Sequence, residues 1–154
     1  MKGKSGKRKR SANGVAGVRD ARTLFRQGMP RALGVRPVSI TPRKVVAKMR
    51  VKAMHLNRTG RVNGGVLMAF ADVLGAVGAV AHRPQGWRGG TLESKTNFFA
   101  SATGPVLTAV CVPLHIGRTT SVWQTTIRNR DGRIAAIVTQ TQIQVPPSRG
   151  EDSD

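Results

Sequence analysis

HLNRTGRVNGGVLMAFADVLGAVGAVAH, residues 55–82, is the stretch whose reading decides the fold. From Gly64 onward it reads as one long helix, apolar on nearly every face, with a Gly-Gly pair at its mouth and a single carboxylate, Asp72, two turns inside. A helix that is apolar all round is buried rather than laid on a surface. A lone carboxylate taken out of water costs several kcal/mol or takes up a proton, so Asp72 requires a partner, a proton or a chemical role.

Working outward, the chain ahead of the helix alternates strictly. Val45, Ala47, Met49, Val51 and Ala53 share one face, and Lys44, Lys48, Arg50 and Lys52 the other, which reads as a half-buried strand with a solvated basic face. LNRTGRVNGG then reads as a loop in which Asn57, Gly60 and Asn63 are turn residues. Upstream, LGVRPVSITPRK reads as a connector, open to an extended conformation, because of its two prolines and glycine. DARTLFRQ, residues 20–27, is a candidate short helix closed by Gly28 and Pro30.

Beyond the helix, HRPQGWRGG breaks it, and TLESKTNFFA, PVLTAVCVPLHI, TTSVWQTTIRN and RIAAIVTQTQIQV follow as four strands. Asp131-Gly132 marks the hairpin between the last two. Four successive strands with short connections predict an antiparallel sheet, and the apolar helix is what such a sheet wraps. The class is α+β. One curved sheet does not cover a helix on all sides, which predicts that a second copy of the chain helps to bury it.

With 154 residues the chain is read as one domain. The charge is uneven. Residues 1–52 hold 16 Lys and Arg against one acid, Asp20, and the remaining 10 basic residues face six acids. MKGKSGKRKR has nothing to bury, so residues 1–30 read as a basic, disordered extension, 31–146 as the folded body and 147–154 as a polar tail. The basic run serves either as a solvated tail or as an electrostatic tether to nucleic acid, and an organelle leader has the same composition.

Cys111 is the only cysteine and lies in an apolar run, which reads as a core residue of a protein from a reducing, cytoplasmic compartment. No membrane span is expected, because Asp72 interrupts the one apolar stretch of sufficient length. His55, His82 and His115 lack metal-ligand spacing, so no metal site is expected.

Together, HLNRTGRVNGGVLMAFADVLGAVGA, GGTLESKTNFFASATG and GRTTSVWQTTIRNRDGRIAAIVTQT resemble the hotdog-fold thioesterases of the phenylacetate-degradation-related (PaaI-like) group, over residues 40–145. The resemblance implies a hotdog fold, a homodimer or homotetramer with active sites between subunits, and hydrolysis of acyl-CoA thioesters without a cofactor beyond the coenzyme A of the substrate. It also implies roles for particular residues. Asp72 is the nucleophile or general base, the Gly64 N–H the donor to the thioester oxygen, Asn57 a holder of the attacking water, and Thr91 a hydroxyl from the neighbouring subunit. The family loop usually reads His-Gly-Gly; here Asn63 replaces the His, so the backbone role survives and any imidazole role does not.

Those roles suit the residue types. Orphan N–H groups at a helix start favour a developing anion, and glycine at 64 and 65 allows close approach to the backbone. Against them stand structural readings: Asp72 as a hydrogen-bonded core residue, Gly64-Gly65 as a mere helix start, and Asn57 and Asn63 as turn formers. Glu93 is the rival carboxylate, sharing a strand face with Thr91 and Lys95, and its structural reading is an ion pair with Lys95. Arg118 is either a phosphate grip or a solvated turn residue. Two other functions fit the same fold: a non-catalytic acyl-CoA-binding regulator whose tail contacts nucleic acid, and a dehydratase, against which the loss of the loop His weighs.

Overall fold

A computed structural model describes residues 12–147. The chain runs α1 (Ala12–Thr23), a 3-10 turn (Leu24–Arg26), α2 (Gly28–Ala32), β1 (Val35–Thr41), β2 (Lys44–Arg50), a second 3-10 turn (Ala53–His55), α3 (Gly64–His82), β3 (Arg88–Phe98), β4 (Val106–Ile116), β5 (Thr120–Arg128) and β6 (Ile134–Val145). The six strands form one antiparallel sheet in the order β1-β2-β4-β5-β6-β3, with α3 packed across it. This is the hotdog arrangement.

The alternation of β2 is realised. Val45, Ala47 and Met49 are fully buried, while Lys44, Lys48 and Arg50 are exposed. The last strand pair closes through Gly132, whose φ of 87° is the left-handed conformation that the Asp-Gly turn demands.

Three expectations are corrected. The stretch read as a connector holds a strand, Val35–Thr41: β1 pairs only with β2, at the sheet edge. Its register slips between Pro37 and Ser39, which is where an edge strand accommodates a missing N–H. Next, only the last three of the four later strands are neighbours in succession. β3 crosses to the opposite edge and pairs with β6, so Leu92 and Phe98 stay exposed on an edge strand.

The third correction concerns residues 12–30, which form α1, the 3-10 turn and the start of α2 instead of a disordered extension. Polar composition hid a stripe at helical spacing: Gly17, Ala21 and Phe25 are buried, and a Cβ at Gly17 would come within 2.8 Å of the Ala81 carbonyl on α3. The candidate helix at 20–27 thus spans the end of α1 and the 3-10 turn after it. α1 and its following turn cover part of the outer face of α3, work that the sequence had assigned to a second copy. The basic run of residues 1–11 and the tail from 148 lie outside the described residues.

Nine residues of α3, including Leu67, Phe70, Leu74 and Val77, are buried. The helix is long and apolar enough to cross a membrane by composition. Packed between the sheet and α1, it is a core helix.

Candidate active site

The N-terminus of α3 is organised by Asn63. As N-cap it has φ −62° and ψ 140°, and its Oδ1 accepts the Gly65 N–H at 2.8 Å. Its carbonyl accepts the N–H groups of Val66 and Leu67, and its own N–H donates to the His55 carbonyl at 2.8 Å. Among the described residues nothing accepts from the Gly64 N–H. An orphan donor at a helix N-terminus is suited to a developing negative charge. A Cβ at position 64 would lie 3.1 Å from the ring of the exposed Phe98, which need shift only slightly to admit it.

Gly64 lines a cavity of about 340 Å³ with Asn57, Leu67, Phe98 and Phe99. Asn57 is first of all a turn former. Its Oδ1 accepts from the Thr59 N–H at 2.9 Å, the Thr59 hydroxyl at 2.8 Å and the Arg61 N–H at 3.2 Å. The amide nitrogen is what remains to meet a ligand.

Asp72 lies two turns further along α3, half-buried. Its Oδ1 accepts the Thr91 hydroxyl at 2.9 Å and the Gln140 Nε2–H at 2.8 Å. Thr91 in turn accepts from Gln142 Nε2 at 2.9 Å. Among the described residues nothing donates to Oδ2. The carboxylate borders a largely apolar hollow of about 490 Å³ formed with Leu24, Met29, Pro30, Ala69 and Val73. Half-burial, two donors on one oxygen and a free second oxygen give a carboxylate that is held in place yet open to a reactant.

The structure unites Asp72 with Thr91 inside one chain, although the resemblance had assigned the hydroxyl to a neighbouring subunit. It unites Gly64 with Asn57 in the other hollow. It does not bring the two pairs together: eight residues of helix separate Gly64 from Asp72, a rise of about 12 Å at roughly 1.5 Å per residue. Gly65 spends its N–H on the helix cap. Arg118 is exposed at the β4–β5 turn and borders neither hollow.

Glu93 departs from the face expected of it. A register shift between Thr91 and Glu93 pairs Thr91 with helix-facing Gln142 and Glu93 with Thr141 on the outer face. The bulge reverses the alternation, so the rival carboxylate points away from Asp72.

Gln140, Gln142 and Gln144 are the residues that sequence reasoning missed. All three are buried, in phase with Ala136 and Val138, while Thr139, Thr141 and Ile143 take the other face. A polar residue at every second position suggests a solvated face. The signal that points the other way is the register with Ala136 and Val138.

Two further titratable groups are accounted for. Burial pushes the Cys111 thiol up to about 12, a protonated core residue rather than a nucleophile. His55 is fully buried, and its Nδ1 accepts the Lys52 N–H at 3.1 Å. Desolvation, assisted by the Lys52 charge, lowers its pKa from 6.5.

A helix mouth with a free N–H, a held carboxylate and a sheet wrapped around both define a class. Residues 59–136 match the Thioesterase superfamily, and the chain belongs to that family; with relatives named as hydrolase and thioesterase, it is a thioester hydrolase. It is 32% identical over 109 residues to ComA2 of Bacillus subtilis, covering 69% of this chain and 85% of that protein. It is 26% identical over 110 residues to the 1,4-dihydroxy-2-naphthoyl-CoA hydrolase of Listeria monocytogenes, covering 71% of this chain and 89% of that enzyme. Among solved structures, the Escherichia coli PaaI protein from the phenylacetic acid degradation operon superposes with a TM-score of 0.78 at 22% identity, over 89% of this chain and 99% of that one.

Proposed function

We propose that this protein hydrolyses acyl-CoA thioesters, with Asp72 as the reacting carboxylate. The observation that carries the reading is the Asp72 carboxylate itself, anchored through Oδ1 by Thr91 and Gln140 with Oδ2 free beside an apolar hollow. The hollow offers an apolar acyl group a place beside the carboxylate. The relative named as a CoA hydrolase supports the substrate class.

In this account Asp72 either deprotonates a water that attacks the thioester carbon or attacks it directly to give an anhydride that water then opens. The carbonyl oxygen takes up charge as the tetrahedral species forms, and the Gly64 N–H receives it. Collapse expels the coenzyme A thiolate and leaves a carboxylic acid. Neither a metal nor a further cofactor is needed for these steps.

Because about 12 Å of helix separates the Gly64 N–H from Asp72, one carbonyl group does not reach both within a chain. The site is therefore composite, with Asp72 and Thr91 of one copy opposing Gly64 and Asn57 of a second, and the protein works as a homodimer or a higher assembly of dimers. The exposed Leu92, Phe98 and Phe99 on and beside the β3 edge supply apolar surface for that association.

Incubation with a panel of acyl-CoA esters and a thiol reagent tests the activity: free thiol is released if the reading is right, and binding without release contradicts it. Complementation tests the composite site. Gly64→Pro removes the N–H at a helix position that accepts proline, and Asp72→Asn removes the carboxylate. Each variant alone is inactive, and mixed dimers regain activity only if the two groups come from different chains.

A further inference from the structure

Gln140 is fully buried on β6, and its Nε2–H reaches Asp72 Oδ1 at 2.8 Å. Room for the amide exists because position 75 of α3 is glycine; a Cβ there would run into the Gln140 side chain. The other end of the amide, Oε1, is buried and has no hydrogen-bond partner. An amide so placed has two orientations, and the alternative would turn Oε1 toward the carboxylate. The observed one satisfies the charged group and leaves the neutral carbonyl unpaired, which is favourable only where the bond to Asp72 is charge-assisted. Ser94, directly across the ladder from Gln140, carries a buried hydroxyl that also lacks a partner.

We propose that Gln140 is a positioning residue of the hydrolytic site: its amide fixes the Asp72 carboxylate so that Oδ2 is presented to the substrate. The inference rests on Asp72 as the reacting group. Thr91 contributes from the second side, its hydroxyl oriented toward Oδ1 by the N–H that Gln142 donates to it. Gln140 and Gln142 thus face the helix for the sake of one carboxylate. Gly75 is the cradle that lets the longer arm reach it.

The test is the split between kcat and KM in thioester hydrolysis. Gln140→Met removes the donor at similar volume, and Gln140→Glu replaces it with a like charge. Loss of the donor frees the carboxylate to turn, so kcat falls by roughly tenfold for Gln140→Met and further for Gln140→Glu, with KM little changed, because the group does not touch the substrate. Gln144→Met, which empties an equivalent amide from the same strand face, keeps the wild-type kcat.

An unchanged kcat in both Gln140 variants, with melting and assembly intact, overturns the proposal. If neither variant folds, Gly75→Ala displaces the amide while leaving glutamine at 140, and is judged by the same kcat. Asp72→Asn runs in parallel. If it retains hydrolysis, the reading of Asp72 fails and Gln140's role with it; if it is dead while the Gln140 variants keep the wild-type kcat, only the present inference fails.

Discussion

The Thr91 hydroxyl donates to Asp72 Oδ1 across 2.9 Å, joining the central helix to the edge strand within one chain. Thr91→Val keeps the shape and removes the donor. A hydrogen bond to a charged group contributes about 1.5–3 kcal/mol, so kcat/KM for thioester hydrolysis falls by roughly 10- to 100-fold. Steady-state kinetics on the best substrate of the acyl-CoA panel check this, and a Thr91→Ser variant restores most of the loss.

Asn63 offers a separation of stability from activity. Asn63→Ala removes the N-cap bond to Gly65 and lowers stability by about 1 kcal/mol, visible as a lower melting temperature. Asn63→Asp keeps the cap and hence the melting temperature. It also sets a negative charge beside the Gly64 N–H, so hydrolysis drops although the fold is intact.

Two glycines of α3 face different neighbours. A Cβ at Gly78 would lie 2.6 Å from the buried Trp123 ring, and overpacking of this kind costs about 1–3 kcal/mol. Gly78→Ala therefore lowers the melting temperature markedly. Gly75→Ala meets only the end of a flexible side chain, the Gln140 amide, so it costs less stability and more activity. Paired thermal melts and rates distinguish the two substitutions.

His55 makes stability depend on pH. Burial and the Lys52 charge hold its folded-state pKa below 6.5, so the unfolded chain binds the proton more readily. Its contribution is fully present above about pH 6.5 and is lost as the pH falls toward the lowered folded value. Melting curves measured downward from neutral pH show the decline, and His55→Gln makes it shallower.

Much of this was legible in the chain. The Gly64–His82 helix, the β2 alternation and the four later strands follow from periodicity and turn residues, and Asp72 stands out because a lone carboxylate on an apolar helix demands an explanation. What was not legible has local causes. Pro37 disguised β1, since only its place at the edge makes proline tolerable. Polar composition disguised the Gly17-Ala21-Phe25 stripe that seats α1 on α3. A single bulge after Thr91 turned Glu93 to the other face, which alternation alone does not reveal. The inward glutamines of β6 were read as part of a plain strand, since the partner of Gln140, Asp72, lies 68 residues away in sequence.

The central claim is that Asp72 is the reacting carboxylate, and thiol release by Asp72→Asn tests it most directly. Asparagine keeps the volume and abolishes both the base and the nucleophile, so the account predicts a loss of at least about 100-fold in kcat, with melting temperature and assembly unchanged. Hydrolysis of acyl-CoA by Asp72→Asn at the wild-type rate would contradict it.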